Sequence, residues 1–258
     1  MAGDIPYAAV GDGRSIVICP GLWPTTGVDS NGLVRGALAL VQRVDEGRKI
    51  VLNRRPGLPV DMTMGGLAGE YADVIRHHFS APVDLVGSST GGSIAQQLAA
   101  DHPDIVRRLV LVSTACRLGP VGRELQARVA ADLRAGRTRS ATSLAAGSLA
   151  PRGFRTLART VGWLAARRVL PGETAIADLA ITIEAEDRFD LTDCARPIEA
   201  KTLIVAGGRD RFYSRELFEE TATLIPGSIF KLIERRAHIT VTTDRRVQAT
   251  IAGFLTAS

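Results

Sequence analysis

The stretch "VDLVGSSTGGSIAQQLA" (residues 83–99) joins an apolar, strand-like segment to a helical pattern through a turn made of small residues. Within the turn, Gly87-x-Ser89-x-Gly91 places a serine at the centre of a strand–turn–helix unit, the pattern of a nucleophile elbow. Such a turn holds its central side chain above the sheet edge in a strained conformation, so its neighbours must be small. We therefore predict that Ser89 is a nucleophile and that Ser88 is a small packing residue.

The rest of the chain supplies strands and helices in alternation on both sides of this turn. The predicted strands, which are short β-rich runs, are residues 7–10, 15–19, 49–53, 83–87, 107–114, 201–208 and 229–234. The predicted helices, which have apolar residues at helical spacing, are residues 33–44, 67–79, 93–103, 214–225 and 243–258. This alternation predicts an α/β fold with a mostly parallel, doubly wound sheet, entered by an antiparallel hairpin of the first two strands.

A long block without predicted strands interrupts the alternation. It contains helical patterns over residues 122–136, 153–170 and 173–187. We predict a core formed by residues 1–115 and 197–258, with a helical cap, or lid, over residues 116–196 inserted between two strands of the sheet.

Composition places the chain among globular proteins. Of its 258 residues, 45% are hydrophobic and 23% are charged, which is typical of a soluble domain with a large core. The N-terminal segment lacks the pattern of a signal peptide, and no apolar run is long enough for a membrane helix. Cys19, Cys116 and Cys194 are far apart, so we expect reduced thiols in a cytoplasmic protein without stable membrane insertion.

The net charge of +5 is concentrated in one segment, because residues 117–168 contain eleven arginines and two acidic residues. No nucleic-acid-binding motif accompanies this charge, so we expect no nucleic-acid partner. A solvated arginine surface is the simplest interpretation. An anionic substrate or partner, and association with a membrane surface through residues 152–170, are the alternatives.

A serine hydroxyl is a poor nucleophile at neutral pH, so Ser89 needs a general base and a third group that orients the base. In a sheet of this kind the acid and then the histidine follow the serine, each beyond the end of a strand. Asp210 follows the strand at 201–208, and His238 follows the strand at 229–234. We predict Ser89, Asp210 and His238 as nucleophile, acid and base.

Few residues compete for these roles. Of four histidines, only His238 follows the acid along the chain. The others, which lie on or at the end of predicted helices, are His77, His78 and His102. Asp187 and Asp190 are the rivals of Asp210, but they fall in the connection from the cap to the sheet.

The nucleophile also requires an oxyanion hole with two hydrogen-bond donors. The N–H of Thr90, the residue after the nucleophile, is one candidate. The loop after the second strand reads Cys19-Pro20-Gly21-Leu22-Trp23-Pro24, and we predict the N–H of Leu22 as the other donor, ahead of Trp23. An ordinary tight turn is the alternative interpretation of this loop.

These segments together resemble those of the α/β-hydrolases that carry a helical lid. The matching segments are "VICPGLW", "VLNRRPGLP", "VDLVGSSTGGSIAQQLAADHP", "RRLVLVST", "TLIVAGGRD" and "RRAHIT". The chain departs from many relatives where it has Pro20-Gly21 instead of His-Gly, and "NRRPGLP" instead of Asp-x-x-Gly-x-Gly. Haloalkane dehalogenases and epoxide hydrolases, which use an aspartate nucleophile, are disfavoured because Ser89 holds that position.

The resemblance and the residues together imply a serine hydrolase that cleaves a carboxylic ester or lactone through an acyl-enzyme, without a cofactor or metal. Carbon–carbon bond hydrolysis of diketones, amide cleavage, peroxy-acid formation and acyl transfer are alternatives on the same triad. A non-catalytic small-molecule receptor is the alternative of another class.

We expect a small-molecule substrate with an apolar acyl group or a lactone ring. The candidate substrate-binding residues are Trp23, Leu144 and Trp163. Packing of the cap on the core is the alternative role for the apolar residues of the cap. The sequence leaves open whether the protein forms a homo-oligomer.

Overall fold

The structure is a computed structural model that describes residues 5–150, 152–194 and 196–257. Its strands are β1 (Tyr7–Val10), β2 (Ser15–Cys19), β3 (Arg48–Leu52), β4 (Val83–Ser88), β5 (Val106–Val112), β6 (Lys201–Gly207) and β7 (Ile229–Ile233). Its helices are α1 (Asn31–Ala39), α2 (Met64–His78), α3 (Thr90–Asp101), α4 (Pro120–Arg134), α5 (Thr138–Leu149), α6 (Arg155–Val169), α7 (Glu173–Asp187), α8 (Arg215–Leu224) and α9 (Arg245–Thr256).

The strands form one sheet in the order β1-β3-β2-β4-β5-β6-β7. β1 is antiparallel to β3, and the other neighbouring pairs are parallel. The central strands β4 and β5 are almost fully buried, because helices cover both faces of a parallel sheet. This topology confirms the prediction of a mostly parallel, doubly wound α/β sheet.

The predicted hairpin of the first two strands is wrong, because β3 lies between β1 and β2. All five residues of β2 are buried, and its two edges pair with β3 and β4. β1 is largely exposed, with Val10 54% exposed, and suits the edge of the sheet. Gly11 and Gly13, both with positive φ, lead from β1 to β2 beside the start of β3, where the N–H of Arg48 donates to Arg14 O at 2.9 Å.

Two apolar layers hold the sheet between its helices. On one face, α2, α3 and α8 contribute Tyr71, Leu98 and Phe218. On the other face, α1 and α9 contribute Leu33 and Ile251. Burial of a side chain of this size contributes about 1.5–3 kcal/mol, so these layers hold the strand ends in place.

The helices α4 to α7 follow β5 and precede β6, where the sequence predicts an inserted helical cap. They enclose a separate apolar cluster that includes Leu133, Leu170 and Ile183. The two ends of the insertion meet at an antiparallel bridge between Arg117 and Asp190. Helix α5 lies outside the predicted helical patterns, because its Ser- and Thr-rich sequence is a weak helix signal. The division into a core and a cap at residues 116 and 196 remains a prediction.

The cysteines Cys19, Cys116 and Cys194 are free thiols. Burial raises the pKa of Cys19 to about 12 and that of Cys194 to about 11. These two thiols therefore stay protonated and unreactive at neutral pH. Among the described residues, every helix is too short or too polar to span a bilayer.

Candidate active site

Ser89 occupies the turn between β4, which ends at Ser88, and α3, which begins at Thr90. Its backbone has φ = 50° and ψ = −128°, a conformation that residues other than glycine rarely adopt. The N–H of Ser89 donates to Val112 O at 3.0 Å, which anchors the turn to β5. The residue that the sequence predicts as the nucleophile is thus strained, as is Ser113 after β5, with φ = 51°.

The glycines around Ser89 allow the strand, the helix and the loop after β2 to approach one another closely. A Cβ atom at Gly91 would lie 2.2 Å from the carbonyl oxygen of Cys19. A Cβ atom at Gly87 would lie 2.7 Å from the Cβ atom of Ala95. Both distances are far below van der Waals contact, so this backbone requires glycine at both positions.

The structure brings His238 and Asp210 to Ser89. Nε2 of His238 lies 3.0 Å from Oγ of Ser89, and Nδ1 of His238 lies 2.8 Å from Oδ2 of Asp210. The side chain of Asp210 is fully buried, and that of His238 is 9% exposed. A neutral imidazole that donates Nδ1–H to the carboxylate presents the lone pair of Nε2 to the serine hydroxyl. This arrangement can accept the proton of Ser89.

Backbone contacts hold the acid and the histidine in place. Oδ1 of Asp210 accepts hydrogen bonds from the N–H groups of Phe212 at 2.9 Å and Tyr213 at 3.3 Å. Both carboxylate oxygens therefore have partners, which restricts rotation of the carboxylate. The hydroxyl of Ser113 donates to His238 O at 2.8 Å and fixes the loop after β7 against the end of β5.

Two aromatic rings flank the imidazole of His238. The ring centroid of Phe212 lies 4.6 Å from that of His238, and the ring centroid of Tyr213 lies 5.9 Å from it. Burial, together with the negative charges of Glu186 and Asp210, raises the pKa of Tyr213 well above its usual range. The phenol therefore remains neutral, and its buried ring stacks beside the imidazole.

Both predicted oxyanion donors lie beside Ser89. Thr90 is the first residue of α3, so its N–H lies at the positive end of the helix dipole. The loop of Leu22 passes next to the nucleophile, because a Cβ atom at Gly21 would lie 3.3 Å from the Cβ atom of Ser89. Within the described part of the chain, neither amide donates to another protein group. Both N–H groups therefore remain candidates for the oxyanion donors.

Glu186, which no sequence motif singles out, is a buried carboxyl group on α7 that contacts α3 next to the nucleophile. Glu186 is 1% exposed and accepts hydrogen bonds from the hydroxyl of Thr90 at 2.7 Å and that of Ser93 at 3.1 Å. It also accepts one from the amide of Gln126 on α4 at 3.0 Å. Burial raises the pKa of Glu186, and these donors oppose the shift. The carboxyl group joins α4 and α7 to the N-terminus of α3.

A second buried contact joins α7 to the loop after β2. The guanidinium of Arg54, a residue only 3% exposed, donates to the hydroxyl of Thr182 at 2.6 Å and to Trp23 O at 2.5 Å. Burial lowers the pKa of Arg54. Helix α7 therefore contacts both predicted sources of oxyanion donors, through Glu186 on one side and through Thr182 and Arg54 on the other.

A polar pattern in the sequence of α7 could have indicated these buried residues. Asp178, Thr182 and Glu186 recur at intervals of four and therefore share one face of α7. All three are buried, and Asp178 accepts the N–H groups of Gly57 and Leu58 at 3.0 and 2.8 Å. A polar stripe on an otherwise apolar helix indicates buried polar partners, although the partners themselves do not follow from the spacing.

Asp210, and neither of its rivals, is the carboxylate that contacts His238. Asp187 forms an ion pair with Arg123 at 3.1 Å on the cap. Asp190 lies 3.8 Å from the guanidinium of Arg117 and accepts the N–H of the residue two positions later at 2.9 Å. Both rivals serve the cap and its junction with the sheet.

The predicted substrate-binding residues lie in three different places. Leu144 lines a cavity between the cap helices and the loop after β6. The ring of Trp23 is half-buried and packs at the start of α1, where a Cβ atom at Gly32 would lie 3.4 Å from the ring. Trp163 is 45% exposed, and the guanidinium of Arg139 lies 4.3 Å from its ring centroid. Of the three, as the described residues define the cavity, only Leu144 lines it.

Comparisons with known proteins agree with this architecture. Residues 16–252 match the profile described as the alpha/beta hydrolase family. The chain is similar to the solved enol-lactonase from Burkholderia xenovorans LB400, with a TM-score of 0.78 and 23% identity over 98% of this chain and 96% of that chain. It is also similar to a solved hydrolase from Pseudomonas aeruginosa PA01, with a TM-score of 0.76 and 22% identity over the whole of both chains. At these identities the similarity establishes the fold alone.

A curated relative matches a short segment more closely. Over 50 residues, the chain is 50% identical to the pimeloyl-[acyl-carrier protein] methyl ester esterase of Chromobacterium violaceum. The match covers 19% of this chain and 20% of that protein, so it spans about a fifth of the relative's length. The likeness is therefore local.

Proposed function

Because the chain belongs to the alpha/beta hydrolase family, we propose that it is a serine hydrolase that cleaves a carboxylic ester or lactone through an acyl-enzyme. The observation that carries the proposal is the continuous set of hydrogen bonds from Ser89 through His238 to Asp210. Ser89 is the nucleophile, His238 is the general base, and Asp210 orients the imidazole and stabilises its protonated form. The proposed chemistry requires no metal ion or cofactor.

Acylation begins when Oγ of Ser89 attacks the carbonyl carbon of the substrate and Nε2 of His238 accepts the hydroxyl proton. The carbonyl oxygen becomes an oxyanion, and the imidazolium faces the buried carboxylate of Asp210. The tetrahedral intermediate then collapses as His238 returns the proton to the leaving alkoxide. An ester releases its alcohol at this step, whereas the alkoxide of a lactone remains attached to the acyl group.

Deacylation repeats these steps with water as the nucleophile. His238 removes a proton from water as the water oxygen attacks the acyl carbon. The second tetrahedral intermediate then expels Oγ of Ser89. The proton passes from His238 to Oγ, which restores the serine hydroxyl and releases the carboxylic acid. The same imidazole serves as base and acid in both halves of the reaction.

The oxyanion accepts hydrogen bonds from the N–H groups of Thr90 and Leu22. Support comes from the position of Thr90 at the N-terminus of α3 and from the close approach of Gly21 to Ser89. Donors of this type act on charge that develops in the transition state, and loss of one typically lowers the rate by about 10²–10³.

The inserted helices over residues 116–196 act as a cap on this site. Leu22 packs against the apolar cluster of the cap, and Glu186 accepts a hydrogen bond from Thr90. The cap therefore contacts both residues that supply the proposed oxyanion donors. Leu144 lines the adjacent cavity and is the substrate-binding residue that this arrangement supports.

The proposed substrate is a small-molecule ester or lactone. The printed names of two similar proteins, an enol-lactonase and a methyl ester esterase, support this bond type. Hydrolysis of a carbon–carbon bond and acyl transfer use the same three side chains. A receptor without catalytic activity has no need for a serine, a histidine and an aspartate in hydrogen-bonding order.

The proposal is tested by fluorophosphonate labelling together with a panel of p-nitrophenyl esters, lactones and diketones. We expect a covalent adduct on Ser89 by mass spectrometry and turnover of the esters or lactones. Both should be lost in Ser89→Ala, whereas Ser88→Ala, a matched change at the preceding residue, should retain labelling and turnover.

Three results would contradict the proposal in different ways. Activity that persists in Ser89→Ala would exclude the mechanism. A folded wild-type protein that fluorophosphonates do not label would favour a receptor. Turnover of diketones without turnover of esters or lactones would retain the nucleophile and reject the bond type.

A further inference from the structure

A cavity of about 270 Å³ lies between α4, α5, α6 and the loop after β6. Its apolar wall includes Leu125, Leu144 and Phe212, and its other wall includes three arginines, Arg155, Arg159 and Arg211. The lining contains no aspartate or glutamate among the residues that the structure describes. The cavity thus combines an apolar surface with an unneutralised positive charge.

The three guanidinium groups have no acidic partner in the described parts of the chain, in contrast to Arg123, Arg134 and Arg137 of the cap. Nε of Arg155 is buried and has no hydrogen-bond acceptor. A buried donor without an acceptor carries a free-energy cost. An acceptor supplied by a ligand would remove this cost.

Arg159 is placed over the cavity by a specific feature of the backbone. Gly147 on α5 lies against its stem, because a Cβ atom at Gly147 would be 2.4 Å from Cγ of Arg159. The close packing of α5 on α6 therefore leaves room for the arginine stem and restricts its position. The contact is made by the stem, and Arg159 is otherwise exposed, which leaves its guanidinium accessible to an anion.

The cavity adjoins the proposed catalytic residues through Phe212. This ring lines the cavity and also lies 4.6 Å, centroid to centroid, from the imidazole of His238. Its N–H donates to Oδ1 of Asp210. Phe212 is therefore the residue that the cavity wall shares with the surroundings of His238.

We propose that this cavity binds a carboxylate on the acyl side of the substrate, so that the preferred substrates are esters of short dicarboxylic acids. This inference rests on the proposed hydrolase function and specifies its substrate class. The guanidinium groups of Arg155 and Arg159 hold the carboxylate through charge-assisted hydrogen bonds. The apolar wall packs against the methylene chain between the carboxylate and the scissile carbonyl. Because ligand pockets usually measure about 300–1,000 Å³, a cavity of this size suits a short chain.

The test compares monomethyl esters of the straight-chain dicarboxylic acids from succinate to suberate with methyl alkanoates of the same chain lengths. We expect kcat/KM to be at least about tenfold higher for the anionic ester at the best length. This preference should shrink at high salt and should be lost in Arg159→Gln, whereas turnover of the neutral esters should stay within about twofold.

Arg128→Gln is the matched control, because Arg128 is an exposed arginine on α4 that does not line the cavity as the described residues define it. It removes the same charge and should leave the preference unchanged. Arg155→Gln provides a second variant at the cavity, and thermal unfolding shows whether each variant is folded. A preference that survives in both Arg159→Gln and Arg155→Gln, or falls equally in Arg128→Gln, would overturn the inference.

Binding measured without turnover separates this inference from the proposed function. Calorimetric titration of Ser89→Ala with the free dicarboxylates should show binding that Arg159→Gln weakens about tenfold or more. If dicarboxylates bind in this way but no ester is hydrolysed, the proposed function fails and the anion site stands. If neutral esters are hydrolysed as fast as anionic ones and dicarboxylates do not bind, the function stands and the anion site is wrong.

Discussion

The turn around Ser89 and the buried face of α7 both hold the candidate site together, but the sequence encodes them differently. In the turn, Gly87 and Gly91 lie two positions from the serine and meet a steric demand that any reader of the sequence can recognise. On α7, Glu186 accepts hydrogen bonds from Thr90 and Gln126, which are 96 and 60 positions away. A steric constraint between residues close in the chain produces a recognisable sequence motif. A contact between distant residues requires only a polar residue, and the fold determines the partner of that residue.

The largest effect is expected at the residues that carry the proposed chemistry. His238→Ala removes the base beside Ser89, and kcat should fall by about 10⁴–10⁶ because the serine hydroxyl then lacks a proton acceptor. Steady-state and single-turnover assays measure the loss. Circular dichroism should show an unchanged fold, since the imidazole contributes to the site more than to the core.

His102→Ala serves as the control for this change, because His102 follows α3 and contacts Arg76 at 3.5 Å instead of the site. It should keep the wild-type rate. Similar kcat values for both variants would show that His238 does not act as the general base for Ser89.

A smaller effect, on stability instead of chemistry, is expected at the junction with the cap. Glu186→Ala leaves two hydroxyls and one amide buried without their acceptor, and the free energy of unfolding should fall by about 2–4 kcal/mol. Glu184→Ala changes a partly exposed neighbour on the same helix that pairs with Arg134 at 2.7 Å, and it should cost only about 0–1 kcal/mol. Urea denaturation measures both.

Equal losses of stability in Glu186→Ala and Glu184→Ala would mean that the buried contacts of α7 contribute no more than a surface ion pair. The junction of α7 with α3 would then differ from the turn around Ser89 in geometry, without a larger contribution to the free energy of unfolding. A loss confined to Glu186→Ala would sharpen that difference.

The smallest effect is a pH dependence of stability that arises at Glu186. Burial raises the pKa of this carboxyl group, so the folded protein binds its proton more tightly than the unfolded chain does. The stabilisation is fully present below the unfolded pKa and is lost as the pH rises through the folded pKa. Glu186→Gln removes this titration, so the free energy of unfolding of the variant should increase relative to the wild type as the pH rises above the ordinary pKa of a glutamate. A constant difference as the pH rises would show that Glu186 does not titrate as described.

The core elements followed closely from sequence periodicity. The strand predicted over residues 83–87 ends one residue later in the structure, at Ser88, and the predicted closing helix is observed as Arg245–Thr256. The predicted hairpin failed because strand pairing depends on which segment fills the space beside β2, and that segment, β3, comes later in the chain. The sequence pattern does not predict helix α5, because tertiary packing, more than intrinsic propensity, stabilises its Ser- and Thr-rich sequence.

In the candidate site, too, the sequence predicts some positions well and others poorly. Asp210 and His238 could be located because each follows a recognisable strand, and parallel strands deliver their C-terminal ends to one edge of the sheet. The large apolar ring of Trp163 predicts a role in substrate binding, yet Trp163 is 45% exposed beside Arg139. An apolar side chain on an amphipathic helix does not reveal which face meets the core when neighbouring helices are unknown.

The amino-acid order by itself determined the strand–turn–helix unit at Ser89, the succession of serine, aspartate and histidine, and the alternation that builds a parallel sheet. These depend on backbone sterics and on periodicities of a few residues. The fold alone decided that β3 separates β1 from β2, that Glu186 meets Thr90, and that three arginines share one cavity with Phe212. Such contacts join segments that are distant in the chain. The distances between these residues are set only when all the intervening helices and strands have packed together.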